Sequence, residues 1–159
     1  MWIRPREISL LKVKDFDLTN FKIRVPANIS KNSKLCFITI PVAFRRFVID
    51  TNLGVQQPEN FIFTNDNDNK LFGAVGVADN LFTKYHSALR DKLQLSKEVK
   101  LYGWKRTGVL NAAVNGVSIH AIKSHGRWSS LDLVDTYLKK SGINEFEEKE
   151  INKMKGLKN

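Results

Sequence analysis

The first forty residues carry two different hydrophobic patterns. In residues 4–13 the apolar side chains fall on one side of a helix, and Pro5 stands in its first turn, where a proline is tolerated. Apolar and polar positions then alternate through residues 16–25, and residues 35–40 are rich in β-forming types. A polar turn at residues 30–34 separates these two stretches. The pattern predicts a short helix and then a three-stranded meander with lysine at its second hairpin tip.

Beyond Pro41 the pattern is mainly helical. A helix of about nine residues is expected first, followed by a loop rich in Asn, Asp and Gln. Residues 65–69 of that loop resemble half of a calcium loop but lack its glycine and glutamate, which favours a solvated turn. Further helices are predicted over 75–93, 103–115, 118–124, 129–140 and 144–154, with stops at Gly116 and Gly142 and caps at Ser118 and Ser129.

Composition narrows the class of protein. The 159 residues are 42% hydrophobic, enough for a folded domain, and no apolar run approaches the eighteen or so residues of a membrane span. We expect a soluble cytoplasmic protein, because the N-terminus does not resemble a secretory signal. Cys36 is the single cysteine, and the three histidines lack ligand spacing with a carboxylate, so neither a disulfide scaffold nor a metal site is expected.

Charge points to the kind of partner. Lys and Arg number 26 against 16 Asp and Glu, for a net charge of +10. A surface this basic favours a polyanion, because cations placed on phosphates release condensed counterions. Charge alone leaves DNA, RNA, the ribosome and acidic membranes open.

Tyr137, late in a predicted amphipathic helix, is a candidate nucleophile. A tyrosine hydroxyl has a pKa of about 10, so attack on a phosphodiester needs nearby cations to favour the phenolate and to hold the phosphate. Guanidinium groups neutralise the charge of the transition state, and a lysine can protonate the departing oxygen. A lone helical tyrosine is more often core or interface, so only its spacing to other motifs can identify a site.

That spacing resembles the tyrosine recombinases, the phage-integrase family. Tyr137 lies nine positions after Trp128, which follows a glycine turn and a helix and precedes two serines. Lys105 stands twenty-three residues before Trp128, where the family usually has histidine, two residues, arginine and histidine. At the start, Arg4 is followed three residues later by an acid and then by leucines, as in the family's first arginine box, and Lys31 falls at the place of its hairpin lysine. The likeness covers about residues 2–140.

The resemblance implies a role for each matched position. Arg4 is expected to clamp the scissile phosphate, Lys31 to protonate the 5′ oxygen, and Trp128 to donate its indole N–H to a phosphate oxygen. Tyr137 is the implied nucleophile, forming a 3′-phosphotyrosyl link without metal, ATP or other cofactor. Glu7 is interpreted as support for a neighbouring cation. The expected catalytic set is Tyr137, Arg4, Lys31, Lys105, Trp128 and Tyr102, and the expected DNA-binding set is Arg106, Arg127 and Lys34.

The middle box departs from the family. Lys105 replaces its second arginine, Tyr102 the preceding histidine and Arg106 the following one. A lysine keeps the charge but loses the two-pronged contact, an expected cost of about 1–3 kcal/mol in transition-state binding. Arg106 is rotated by about 100° from Lys105 on a helix and is not a simple replacement, while Arg127 is another candidate. Three functions therefore stay open: a competent recombinase, a degenerate integrase that binds DNA without cutting it, and a type IB topoisomerase.

The expected fold class is α+β, mainly helical with a small three-stranded antiparallel sheet. Residues 1–140 are expected to form a recombinase catalytic domain that lacks its first helices and the arm domain. Residues 141–159 are expected to form a tail helix, packed on its own domain or exchanged with a neighbour. The expected partners are double-stranded DNA and further copies in a synaptic tetramer, with no membrane and no small-molecule substrate, in a bacterial or mobile-element setting.

Overall fold

The computed structural model describes residues 3–139, without the side chains of Leu133 and Tyr137. The chain divides into two compact units, one ending at Ser96 and the other beginning at Lys97. The predicted stop at Gly142, the helix at 144–154 and the tail at 141–159 lie outside the described residues.

The first unit begins with helix α1 (Pro5–Leu10). Arg4 precedes it in an extended conformation, and its backbone N–H donates to Glu7 Oε2 at 3.0 Å. This contact satisfies a donor that the first helical turn cannot satisfy, and Pro5 needs no such partner because it has no N–H. The short N-terminal helix predicted from the sequence is confirmed.

The predicted three-stranded meander is also confirmed. Strands β1 (Phe16–Asp17), β2 (Lys22–Val25) and β3 (Cys36–Thr39) pair antiparallel in chain order. Ile23 lies opposite Ile38, and both side chains are buried on the same face. The core of the unit consists of Leu11, Val13, Ile23, Val25, Ile38, Ile40, Val48, Leu53 and Ile62.

Helix α2 (Val42–Asp50) follows Pro41 with the predicted length of nine residues. A second sheet then appears that the sequence pattern did not predict, formed by β4 (Phe61–Phe63) and β5 (Leu71–Gly73). Its strands have three residues each, too short to show a period of two. The 65–69 segment between them is a turn, as predicted.

The third helix is shorter than its pattern suggested. Helix α3 is Leu81–Lys92, so the predicted start at residue 75 is wrong. The backbone of Val75 is already engaged, since its N–H donates to Asp66 Oδ2 at 2.7 Å and its carbonyl accepts from the Thr64 hydroxyl at 2.6 Å. These contacts hold the segment before α3 against the second hairpin.

The second unit contains helices α4 (Gly103–Val114), α5 (Ile119–Gly126) and α6 (Asp132–Lys139). Gly116 follows α4 with a φ of +79°, and the Ser118 hydroxyl accepts from Ala121 N–H at 3.2 Å, so the predicted stop and cap are confirmed. Helix α6 begins at Asp132, three residues after Ser129, so Ser129 is not its cap. Among the described residues of this unit, the buried apolar side chains are those of Val109, Ala113, Ile122, Val134 and Leu138.

Two general features of the described residues bear on function. No helix among residues 3–139 is long and apolar enough to cross a membrane. The same part of the chain holds no group of three His, Cys, Asp or Glu side chains arranged for a metal ion.

Candidate active site

A single buried carboxylate connects two of the predicted site residues in the first unit. The Glu7 side chain is 2% exposed, and its Oε1 lies 3.4 Å from Arg4 Nη1. The same oxygen accepts the backbone N–H of Lys31 at 3.2 Å. Arg4 and the hairpin tip are therefore brought together by one acid, which confirms the interpretation of Glu7 as support for a neighbouring cation.

The hairpin tip is a compact turn and not a loose loop. Pro26 carbonyl accepts from Ile29 and Ser30 N–H at 3.2 and 3.0 Å, and Ser33 N–H donates to the Ser30 carbonyl at 3.0 Å. Lys31 and Lys34 are exposed on this turn. Glu7 thus holds the backbone of Lys31 by a hydrogen bond, while the exposed Lys31 side chain is accessible to a polyanion.

The second unit brings Lys105 and Trp128 together. Lys105 lies in the first turn of α4, and its Nζ stands 4.8 Å from the centroid of the Trp128 ring. An ammonium at this distance from the ring is attracted by the ring's negative charge distribution. Two residues that the motif spacing selected separately are therefore in contact.

The end of helix α5 holds the backbone of Trp128. Trp128 N–H donates to the Lys123 carbonyl at 3.1 Å, and Arg127 N–H donates to the Ser124 carbonyl at 3.0 Å. Arg127 has a φ of +55° and a ψ of +45°, the left-handed conformation that closes many helices and that usually favours glycine. The backbone at Arg127 thereby turns the chain so that Trp128 follows the helix directly.

Gly126 provides the surface on which the Trp128 ring lies. A Cβ at position 126 would overlap the six-membered part of the indole, with Trp128 Cδ2 at 2.8 Å. Glycine is required here by close approach, because any side chain would displace the ring. Sequence reasoning missed this contact, although a glycine two residues before a tryptophan at a helix end is the signal that could have suggested it.

His125, near the end of α5, lies close to the positive charges of Arg127 and Lys105. Partial burial lowers the pKa of His125 below its usual value, and the nearby charges of Arg127 and Lys105 lower it further. The lowered pKa favours a neutral His125, whose imidazole adds no charge to the two cations.

The other predicted residues of the second unit occupy distinct places. Tyr102 is the residue before α4 and is 60% exposed, while Arg106 is half-buried in the first turn of that helix. Tyr137 lies in α6, three residues after buried Val134 and one before buried Leu138. Tyr137 therefore lies on a helix that packs into the core through Val134 and Leu138.

Comparison with known proteins identifies the fold. No family model and no curated protein matches the sequence, whereas eight chains of solved structures match the fold. One is XerA recombinase, with a TM-score of 0.66 and 20% identity over 84% of this chain and 47% of that one. Another is the Tn1549 transposon integrase (residues 82–397, R225K) in complex with a circular intermediate DNA, with a TM-score of 0.66 and 17% identity over 85% and 49%.

The fold is therefore that of the tyrosine-recombinase catalytic domain. The α+β class and the family resemblance predicted from the motifs are confirmed at the level of fold. The chain spans about half the length of either matched structure.

Proposed function

We propose that this chain is the strand-cutting and strand-rejoining part of a site-specific DNA recombinase. The observation that carries the proposal is the Glu7 carboxylate, which joins Arg4 to the backbone of Lys31 in a fold shared with a recombinase and a transposon integrase. The net charge of +10 supports duplex DNA as the partner, as does the DNA present with the matched integrase.

In the proposed reaction the Tyr137 hydroxyl attacks the scissile phosphorus. The Tyr137 oxygen forms a bond to phosphorus, the bond from phosphorus to the 5′ oxygen breaks, and a 3′-phosphotyrosyl link results. The tyrosine proton passes to solvent, and Lys31 donates a proton to the departing 5′ oxygen. Arg4 binds the phosphate and stabilises the charge of the transition state, and rejoining is the same sequence in reverse with a second 5′ hydroxyl.

The other predicted residues also have roles in this proposal. Lys105 and Trp128 are phosphate ligands, Tyr102 is a further catalytic residue, and Arg106, Arg127 and Lys34 contact the DNA backbone. Residues 1–140 are the proposed catalytic domain, and copies of the chain associate into a synaptic tetramer on DNA. The proposed setting is the cytoplasm, with the protein encoded by a bacterium or by a mobile element.

A second candidate function is DNA binding without cleavage. The observation that favours it is Lys105 at the position of the family's second arginine, because an ammonium cannot make the two-pronged phosphate contact of a guanidinium. In this case the basic residues bind DNA, and Tyr137 has no chemical role.

A trapping experiment separates the two functions. The protein is incubated with a pool of randomised duplex oligonucleotides that carry a nick at a fixed position, so that cleavage just before the nick releases a short fragment and prevents rejoining. Covalent complexes that resist denaturant are then isolated and sequenced. The recombinase proposal expects an adduct with enriched sequences that disappears in Tyr137→Phe. Binding to DNA with no adduct in the wild-type protein would support the second candidate, and relaxation of supercoiled plasmid would indicate a topoisomerase.

A further inference from the structure

We propose that the face of the Trp128 ring positions the Lys105 ammonium as a phosphate ligand, so that the two residues act as one coupled pair. The inference rests on the proposed function and extends it. It assigns Trp128 a role beyond donating its indole N–H, since the ring face itself holds the cation. The observation is the distance of 4.8 Å from Lys105 Nζ to the ring centroid.

The need for such a pair follows from the chemistry of lysine. A guanidinium is planar and presents its donors in a rigid fork, whereas an ammonium is a point charge at the end of a flexible four-carbon stem. A lysine in place of an arginine must therefore lose more side-chain freedom before it can hold a phosphate. An aromatic face that attracts the ammonium removes part of that freedom before DNA binds.

The ring is itself held in place by the surrounding backbone. Gly126 leaves room for the indole. The backbone N–H of Trp128 donates to the Lys123 carbonyl, which holds the backbone of Trp128 at the end of α5. Lys105 is in the first turn of α4, a regular helix. Both partners thus extend from defined backbone positions, which a positioning contact requires.

Histidine and phenylalanine at position 128 separate the two possible roles. Histidine keeps an N–H donor but loses the large ring face, while phenylalanine keeps a ring face but has no donor. If Trp128 acts through its ring face, Trp128→His is expected to slow adduct formation more than Trp128→Phe does. If it acts only through its N–H, the order is reversed.

The kinetic test is a double-mutant cycle on adduct formation with a nicked duplex enriched from the pool, under single-turnover conditions. We expect Trp128→His to slow the wild-type protein by about ten- to thirtyfold. In a Lys105→Arg background the same change is expected to cost less than about threefold, because a guanidinium needs no ring to orient it. Trp104→His is the matched control, an exposed tryptophan beside Lys105, and is expected to cost the same in both backgrounds.

A second readout does not depend on catalysis. In DNA-free protein with labelled lysine, the ε-methylene signal of Lys105, assigned with Lys105→Arg, is expected upfield because of the ring current. The shift should vanish in Trp128→His and persist in Trp104→His. This inference, but not the proposed function, would be overturned by an unshifted Lys105 signal. Equal losses in the rate of adduct formation from Trp128→His in both backgrounds would overturn it as well. Failure of every variant and of the wild type to form an adduct would instead overturn the proposed function.

Discussion

The Glu7 carboxylate accepts the backbone N–H of Lys31 at 3.2 Å, across a separation of 24 residues. The same buried side chain binds the backbone and the guanidinium of Arg4. One acid therefore sets the position of the first arginine and of the hairpin tip at the same time. Glu7 is therefore the residue that connects two predicted site residues of the first unit.

Substitution of this acid is the first prediction. Glu7→Gln removes the charge that faces Arg4 and keeps the shape of the side chain. Because the group is buried and its partners would lose a charged acceptor, we expect the free energy of unfolding to fall by about 2 kcal/mol or more. Urea denaturation measures the change, and hydrogen exchange at the Lys31 amide is expected to accelerate.

Glu59→Gln is the matched control. Glu59 also pairs with two cations, Lys12 and Lys14, but its side chain is 66% exposed. Exposed ion pairs contribute little because water screens them. A loss of stability in Glu59→Gln as large as in Glu7→Gln would contradict the role given to burial.

The second prediction concerns the contact between Gly126 and Trp128. Gly126→Ala places a methyl group where the indole lies, so we expect about 1–3 kcal/mol of destabilisation and a changed tryptophan emission. Gly103→Ala is the comparison, because a methyl group there meets no atom within 4 Å and alanine favours the helix. Thermal unfolding followed by tryptophan fluorescence measures both. Equal behaviour of the two variants would refute the packing of the ring on Gly126.

The third prediction is a pH dependence that arises from His125. Its pKa in the folded protein is lowered by partial burial and by the charges of Arg127 and Lys105. Between the unfolded pKa of about 6.5 and the lower folded one, the unfolded chain binds more protons, so stability falls as the pH decreases through this window. His125→Gln is expected to reduce this loss of stability at low pH, which is measured as the free energy of unfolding over a range of pH. His120→Gln, at an exposed histidine of the same helix, is the control for the loss of an imidazole.

The fourth prediction tests the basic hairpin tip as a DNA contact. Lys34 is exposed, so Lys34→Ala is expected to weaken binding to all duplex sequences alike. The slope of log affinity against log salt should become shallower by about one. Lys14→Ala is the control, since Lys14 is already paired with Glu59. Fluorescence anisotropy over a range of salt concentrations gives both slopes, and an unchanged slope in Lys34→Ala would exclude this contact.

Much of the fold was predictable because its signals are local. The alternation around Ile23 and Ile38 reports a strand with one buried face, and Ser118 and Gly116 mark helix ends through their own backbone and side-chain chemistry. The β4–β5 hairpin escaped prediction because its strands are too short to show a period. The predicted start of α3 is too early because Val77 extends the helical spacing of Leu81 and Phe82 backwards, whereas the backbone of Val75 is held by Asp66 and Thr64.

The sequence by itself determined the α+β class, the order of most elements and the candidate residues. Hydrophobic period, turn chemistry and motif spacing depend only on the residue types and their order in the chain. Tertiary structure alone decided which of those residues meet. Glu7 reaches Lys31 across 24 residues, and Lys105 in α4 meets Trp128, which lies just beyond the end of α5. Such contacts depend on how helices and hairpins pack, and packing energy is shared among buried side chains distant in sequence.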